Sequence, residues 1–159
     1  MLDFKELPDD GVKFEQLIKE IFVLRGFETH WTGVGTDGGR DLVVTEKLRG
    51  ELSEYNRKWL ISCKHTANSG KSIGRNDAGN ITEDCNAIGA DGYILVCSTQ
   101  PTASLVTRLE EIEKNQNIIT RFWDVIEIEK QLLKPNTFGL IHTFFPESSK
   151  NYLWRIYNA

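Results

Sequence analysis

Apolar residues recur at helical spacing over residues 11–25, where Val12, Phe14, Leu17, Ile18, Ile21 and Phe22 share one stripe. Asp9 and Asp10 stand ahead of it as capping residues and Gly26 follows it, so the spacing predicts a helix. Residues 27–31 alternate weakly. A glycine-rich segment, Gly33-Val34-Gly35-Thr36-Asp37-Gly38-Gly39, then leads into the apolar run 41–45, which predicts a β-hairpin. A polar stretch, 46–57, is expected to separate that hairpin from a third strand over 59–65, and small polar residues over 66–74 read as a loop. Beyond it the pattern predicts a helix over 77–88, a buried strand over 93–98 and a helix over 101–114 with Pro101 in its first turn. A strand over 118–123 follows, then a short helix capped by Asp124 and running to Leu133. The order α-β-β-β-α-β-α-β-α predicts an α/β fold, a mixed β-sheet flanked by helices on both faces. Residues 1–133 form the expected domain, and 134–159 a C-terminal tail or a connection to a further domain. Phe138, Leu140, Ile141, Phe144, Phe145, Tyr152, Leu153 and Trp154 make the tail apolar enough to pack back on the domain or to contact a second copy.

Composition narrows the class. With 159 residues, 40% hydrophobic and 26% charged, the chain suits one globular domain that buries its core without disulfides or a structural metal. The longest apolar run, Ile94-Leu95-Val96-Cys97, is far too short to span a membrane. Residues 1–6 lack the basic-then-apolar order of a secretory signal, so a cytoplasmic protein is expected. Cys63, Cys85 and Cys97 are odd in number and scattered, as reduced thiols would be, and form neither a disulfide framework nor a zinc knuckle. Nineteen basic against 23 acidic side chains give a formal charge of −4, which excludes a general electrostatic nucleic-acid binder but leaves room for a local basic patch.

Candidate chemistry converges on a few positions. Asp41 opens the second hairpin strand, and Ser62 and Lys64, two apart on the next strand, share a face. Neighbouring strands would bring this carboxylate and ammonium to one sheet edge. Glu15 lies on the apolar stripe of the first helix with Ile18 and Phe22 and faces inward, where a carboxylate needs a cation or a metal. Taken singly, Asp41 reads as a turn residue, Lys64 as a snorkelling lysine on an edge strand, and Glu15 as the partner of Lys19 on the helix surface. His65 lies on the opposite face from Lys64, in a core or polar role, and His30 and His142 lack a partner at ligand spacing. The glycine-rich segment precedes a strand and lacks a Lys-Ser/Thr pair, which distinguishes it from a phosphate-binding loop. Trp31 near these positions reads as a core residue.

In order, Phe14-Glu15-x-Leu17, Gly35-Thr36-Asp37-Gly38-Gly39-Arg40-Asp41, Ser62-Cys63-Lys64-His65 and Gly89-Ala90-Asp91-Gly92-Tyr93-Ile94-Leu95-Val96 resemble the successive motifs of Mrr-like restriction endonucleases, members of the PD-(D/E)xK nuclease superfamily. The resemblance covers about residues 11–113. It implies a restriction-endonuclease-like fold and hydrolysis of DNA phosphodiester bonds with Mg²⁺ (or Mn²⁺), which prefers carboxylate, phosphate and water oxygens. Asp41 would be the central metal ligand, Lys64 would serve the attacking water, and Glu15 would extend the carboxylate cluster. The family usually carries Gln or Glu two residues before the lysine. This chain has Ser62, whose short hydroxyl would reach an ion only through water. Arg57, Lys58, Lys71, Arg75 and Asn76 would contact nucleic-acid phosphates. The resemblance further implies an effector in bacterial restriction or anti-phage defence, acting as a homo-oligomer or fused to a sensor domain in a longer protein. The alternative from another class is an inactive nuclease fold used for DNA binding or oligomerisation. Ser62 favours it, whereas retention of Glu15, Asp41 and Lys64 favours activity.

Overall fold

The computed structural model describes residues 2–32 and 41–150. The glycine-rich turn over 33–40 and the tail residues Tyr152, Leu153 and Trp154 lie outside the described residues. A five-stranded mixed sheet runs in the order β1-β2-β3-β4-β5. β1 (Glu28–Trp31), β2 (Leu42–Arg49) and β3 (Glu54–Lys64) are antiparallel neighbours, and β4 (Gly92–Cys97) and β5 (Ile119–Trp123) continue parallel to β3. This is the expected α/β arrangement, since the two parallel steps each need a helical crossover. Those crossovers carry α2 (Ile81–Ile88) and α3 (Ala103–Gln116).

The pleat sorts the core into two layers. Leu42, Val44, Ile61, Ile94 and Val96 face α1 (Val12–Leu24), α4 (Val125–Leu132) and α5 (Leu140–Phe144). Leu60, Tyr93, Leu95 and Cys97 face α2 and α3, meeting Ile81, Cys85, Leu105, Leu109 and Ile112. The first helix forms as its pattern predicts. Gly11 takes a left-handed φ of 80°, Asp10 Oδ1 accepts from Val12 N at 3.0 Å, and Gly26 ends the segment with φ of 88°. Asp124 caps α4 by accepting from Glu127 N at 3.0 Å.

Three local expectations need correction. Residues 46–57 do not separate two strands: β2 and β3 run on as a two-stranded ribbon, paired from Glu46↔Arg57 to Arg49↔Glu54 and closed by Gly50 N donating to Ser53 O at 2.8 Å. β1 stops opposite Thr45 and β4 starts opposite Trp59, so the ribbon projects beyond the sheet. Neither of its faces enters a core, which removes the apolar alternation that would have marked it. The second helix starts at Ile81, not at Asp77. There Asp77 instead closes a turn, accepting from Gly74 N at 2.6 Å, a local bond that competes with helix formation. Pro101 likewise precedes its helix, which Thr102 caps by accepting from Leu105 N at 3.2 Å.

The tail packs back. Leu140, Ile141 and Phe145 are buried in the layer beneath α1, with Phe138 and Phe144 against it. Phe145 also meets Phe4 at 5.1 Å between ring centroids, and Phe4 meets Phe14 at 6.3 Å. Polar bonds clasp the same two ends, Glu6 accepting from the amides of Glu147 at 2.7 Å and Ser148 at 3.1 Å, in α6 (Pro146–Ser148), while Leu2 N donates to Glu129 of α4 at 2.6 Å. His65 plays the structural part expected of it, between Ser98 Oγ at 2.8 Å and Leu7 O at 3.1 Å, with its ring stacked on Phe14. No described helix is long and apolar enough to cross a membrane.

Candidate active site

The nominated residues meet where β2 begins and β3 ends. Leu42 pairs with Ile61, so Asp41, one residue before the strand, comes level with Ser62. Thr32 fixes that position from β1, because its amide and hydroxyl both donate to Asp41 O, at 2.8 and 3.2 Å. Ser62 and Lys64 project toward the α2 and α3 layer with Leu60, while Cys63 projects toward α1. Ser62 is only 6% exposed, and Glu15, Asp41 and Lys64 are half-buried.

The thiol of Cys63 reports how these charges converge. Burial pushes it well above the ordinary thiol range. The carboxylates of Glu15 and Asp41 push it further, and the Lys64 ammonium opposes them. A helix residue, a residue at the mouth of a hairpin strand and a strand lysine therefore bear on one sulfur. On the other side of the sheet Asp41 also acts on the Cys85 thiol, which burial first and then Asp84 and Asp41 push up to about 12. Lys19, one turn after Glu15, places its ammonium 5.4 Å from the centroid of Trp31, which packs at the edge of the core as a core residue should.

Tyr93 lies in the last of the family-like motifs and in a buried strand, but no sequence signal gave it a role at the site. It is 2% exposed and stands opposite Leu60 in the parallel register, so Ser62 is its diagonal neighbour on the same face. Burial pushes its phenol above the ordinary tyrosine range. The nearby Ser62 hydroxyl eases its ionisation, without closing a hydrogen bond of good geometry, and the Asp41 charge opposes it.

The five residues expected on nucleic acid fall into two groups. Arg57 and Lys58 lie near the ribbon, and seven strand residues carry Lys64 roughly 23 Å from Arg57. Arg57 faces Glu46 at 3.8 Å, and Lys58 Nζ donates to Ile88 O at 3.1 Å. Lys71, Arg75 and Asn76 sit in the loop that leaves the site end of β3. Lys71 and Asn76 are exposed there, while Arg75 pairs with Glu111 at 3.0 Å and donates to Ser104 O at 3.1 Å. Arg108 ties this loop to α3, donating to Arg75 O at 2.7 Å and Gly79 O at 2.5 Å.

Among the described residues no group of three or more His, Cys, Asp and Glu side chains is arranged to hold a metal. Two hard carboxylates at Asp41 and Glu15 nonetheless fit an ion such as Mg²⁺, which keeps several waters and is held by one or two carboxylates together with substrate phosphate. They do not make the closed donor set of a structural zinc site.

The family model described as a restriction endonuclease, Mrr_cat, matches residues 9–120. No curated protein sequence matches the chain. Among solved structures, the chain is similar to the DNA modification-dependent restriction endonuclease AspBHI, with a TM-score of 0.64 and 12% identity over 86% of this chain and 33% of that one. It is also similar to the MspJI restriction endonuclease in complex with a 27-mer oligonucleotide, with a TM-score of 0.50 and 14% identity over 88% of this chain and 33% of that one. The chain thus spans about a third of the length of each. At these identities the likeness is one of fold.

Proposed function

We propose that this chain, which belongs to the Mrr_cat restriction endonuclease family, is the nuclease domain of a metal-dependent DNA endonuclease. The observation that carries the reading is the strand register that sets Asp41 level with Ser62 and two residues from Lys64 at one end of the sheet, with Glu15 of α1 close enough to act on the Cys63 thiol between them. A hard divalent cation, when bound, polarises the scissile phosphate and acidifies a water. Asp41, whose carbonyl is anchored by Thr32, holds that ion in this reading, and Glu15 adds a second carboxylate from α1 directly or through water. Lys64 orients the attacking water and offsets the negative charge that grows on the phosphate. Ser62 is too short and too buried to act as a direct ligand in place of Gln or Glu. Lys71, Arg75 and Asn76, on the site side of the molecule, position the phosphate backbone without reading bases.

The remaining parts of the reading rest on the family. They are a cytoplasmic effector in restriction or anti-phage defence that works as a homo-oligomer or joined to a sensor domain. The similarity to the MspJI restriction endonuclease, whose structure is of a complex with a 27-mer oligonucleotide, supports DNA as the substrate. Purified protein incubated with plasmid DNA should nick or cut it when Mg²⁺ or Mn²⁺ is present and should stop when the ion is chelated. Binding measured across salt should show Lys71→Ala lowering affinity with a salt slope smaller by about one, and Asn76→Ala lowering affinity with the slope unchanged, because only the lysine neutralises a phosphate. Intact plasmid with either ion, alongside ordinary DNA binding, would instead support the inactive binding module.

A further inference from the structure

Among the described residues, Tyr93 Oη is the only buried side-chain nitrogen or oxygen without a hydrogen-bond partner. Leaving a buried hydroxyl unsatisfied costs about 1–3 kcal/mol, whereas phenylalanine would fill nearly the same volume at no such cost. The hydroxyl lies beside the candidate site, not in a remote part of the core. In the β3–β4 register Leu60 is opposite Tyr93 and Ser62 is two residues nearer the site on the same face. On the far side of β3, Asp41 is level with Ser62, one step past the Leu42–Ile61 pair. A phenol, a hydroxyl and a carboxylate thus follow one another across three strands, Tyr93 diagonal to Ser62 and Asp41 level with it.

We propose that Tyr93 is a positioning residue of the candidate active site, and that its Oη together with Ser62 Oγ holds one water against the Asp41 carboxylate. Three polar partners are what a buried water needs to be retained. Tyr93 Oη donates to that water, Ser62 Oγ accepts from it or donates to it, and the water donates to Asp41. The Ser62 and Tyr93 hydroxyls and a water then orient Asp41 from the position where a longer side chain at 62 would do so alone. The response of the phenol to Ser62 and to the Asp41 charge agrees with this placement. The inference rests on the reading of Asp41 as the residue that holds the cation.

The test uses the full chain with its tyrosines labelled with ¹³C at Cζ, a position sensitive to hydrogen bonding at the phenol. The signal lost in Tyr93→Phe identifies Tyr93. Titration with Mg²⁺ should move that signal in the native protein and not in Asp41→Ala, and Ser62→Ala should reduce the movement. Calorimetry should show Tyr93→Phe binding Mg²⁺ three- to tenfold more weakly, while its melting temperature without the ion is equal to or above that of the native protein. If Mg²⁺ binds the native chain but the Tyr93 signal stays still and Tyr93→Phe binds equally well, the positioning role is overturned and the cation site stands. If Mg²⁺ and Mn²⁺ both fail to bind the native chain, the cation site is overturned and the positioning role falls with it.

Discussion

The two ends of β3 are built from the same pairing with β2 and do opposite things with charge. At the ribbon end the strand has one neighbour, and at the tip its ions pair in open solvent. Arg49 and Glu54 meet at 3.0 Å with 85% and 71% of their side chains exposed, a contact of little energetic consequence. At the other end β3 lies between β2 and β4, and two helical layers cover its faces. Half-buried charges there act through a poorly screened interior, so that Glu15, Asp41 and Lys64 all register on one thiol. Covering a charge partly, without neutralising it, is what separates a carboxylate whose field reaches its neighbours from a solubilising one.

The comparison is broken most directly by substitutions at both ends. Asp41→Ala and Lys64→Ala should each lower cleavage by about 10²–10³-fold with circular dichroism unchanged, the usual loss when a charge-stabilising group is removed. Glu15→Gln should cost less, about tenfold, and Arg57→Ala and Lys58→Ala less than twofold. Equal losses at the two ends would abolish the distinction, and full cleavage by a folded Asp41→Ala protein would remove the site assignment.

The boundary between the ends is Gly92, which pairs with Trp59 where β4 begins. A Cβ there would stand 2.4 Å from the indole ring. Gly92→Ala should therefore destabilise the protein by about 1–3 kcal/mol in urea unfolding, the range for overpacking a filled core.

A smaller effect should appear with pH, and only through the covered end. Burial pushes the thiols of Cys85 and Cys97 up to about 12 from an ordinary value near 9. The unfolded chain releases these protons first, so the stability they contribute is complete below pH 9 and declines as pH rises toward 12. Urea midpoints at pH 8, 9 and 10 should fall in that order above 9, and Cys85→Ala with Cys97→Ala should flatten the decline. The smallest effect belongs to Leu52, fully exposed at the ribbon tip. Leu52→Ser should leave stability within about 0.5 kcal/mol, as for a surface substitution that touches no core. A loss of more than 1 kcal/mol would show that the tip is covered in solution.

Legibility in the sequence followed burial. α1 was readable because Phe14, Leu17, Ile18, Ile21 and Phe22 all enter one layer, and β4 because its six residues are buried without interruption. The ribbon was not readable, since residues with water on both faces carry no alternation. Asp77 misled in another way, because its side chain bonds a local amide and delays the helix to Ile81. At the site, Glu15, Asp41 and Lys64 could be nominated from ordered motifs, and the structure brings them to one place. Tyr93 could not be nominated. Its nearness to Ser62 depends on the parallel register between β3 and β4, which nothing within either segment specifies.

The clasp of Glu6 on Glu147 and Ser148 has a kinetic consequence. The Glu6–Glu147 bond spans 141 residues, whereas the turn at the ribbon tip closes within four. Loop-closure entropy makes the long closure costlier by about 3 kcal/mol. Residues 2–7 and 140–149 should then be the last to dock during folding and the first to lift away in the native state, taking Phe4 and Phe145 off Phe14. Amide exchange at Glu147 and Ser148 would outrun that of β4, and each such opening would loosen the N-terminal turn of α1, which carries Glu15. A contact far in sequence from the carboxylates would in this way set how long Glu15 stays in place.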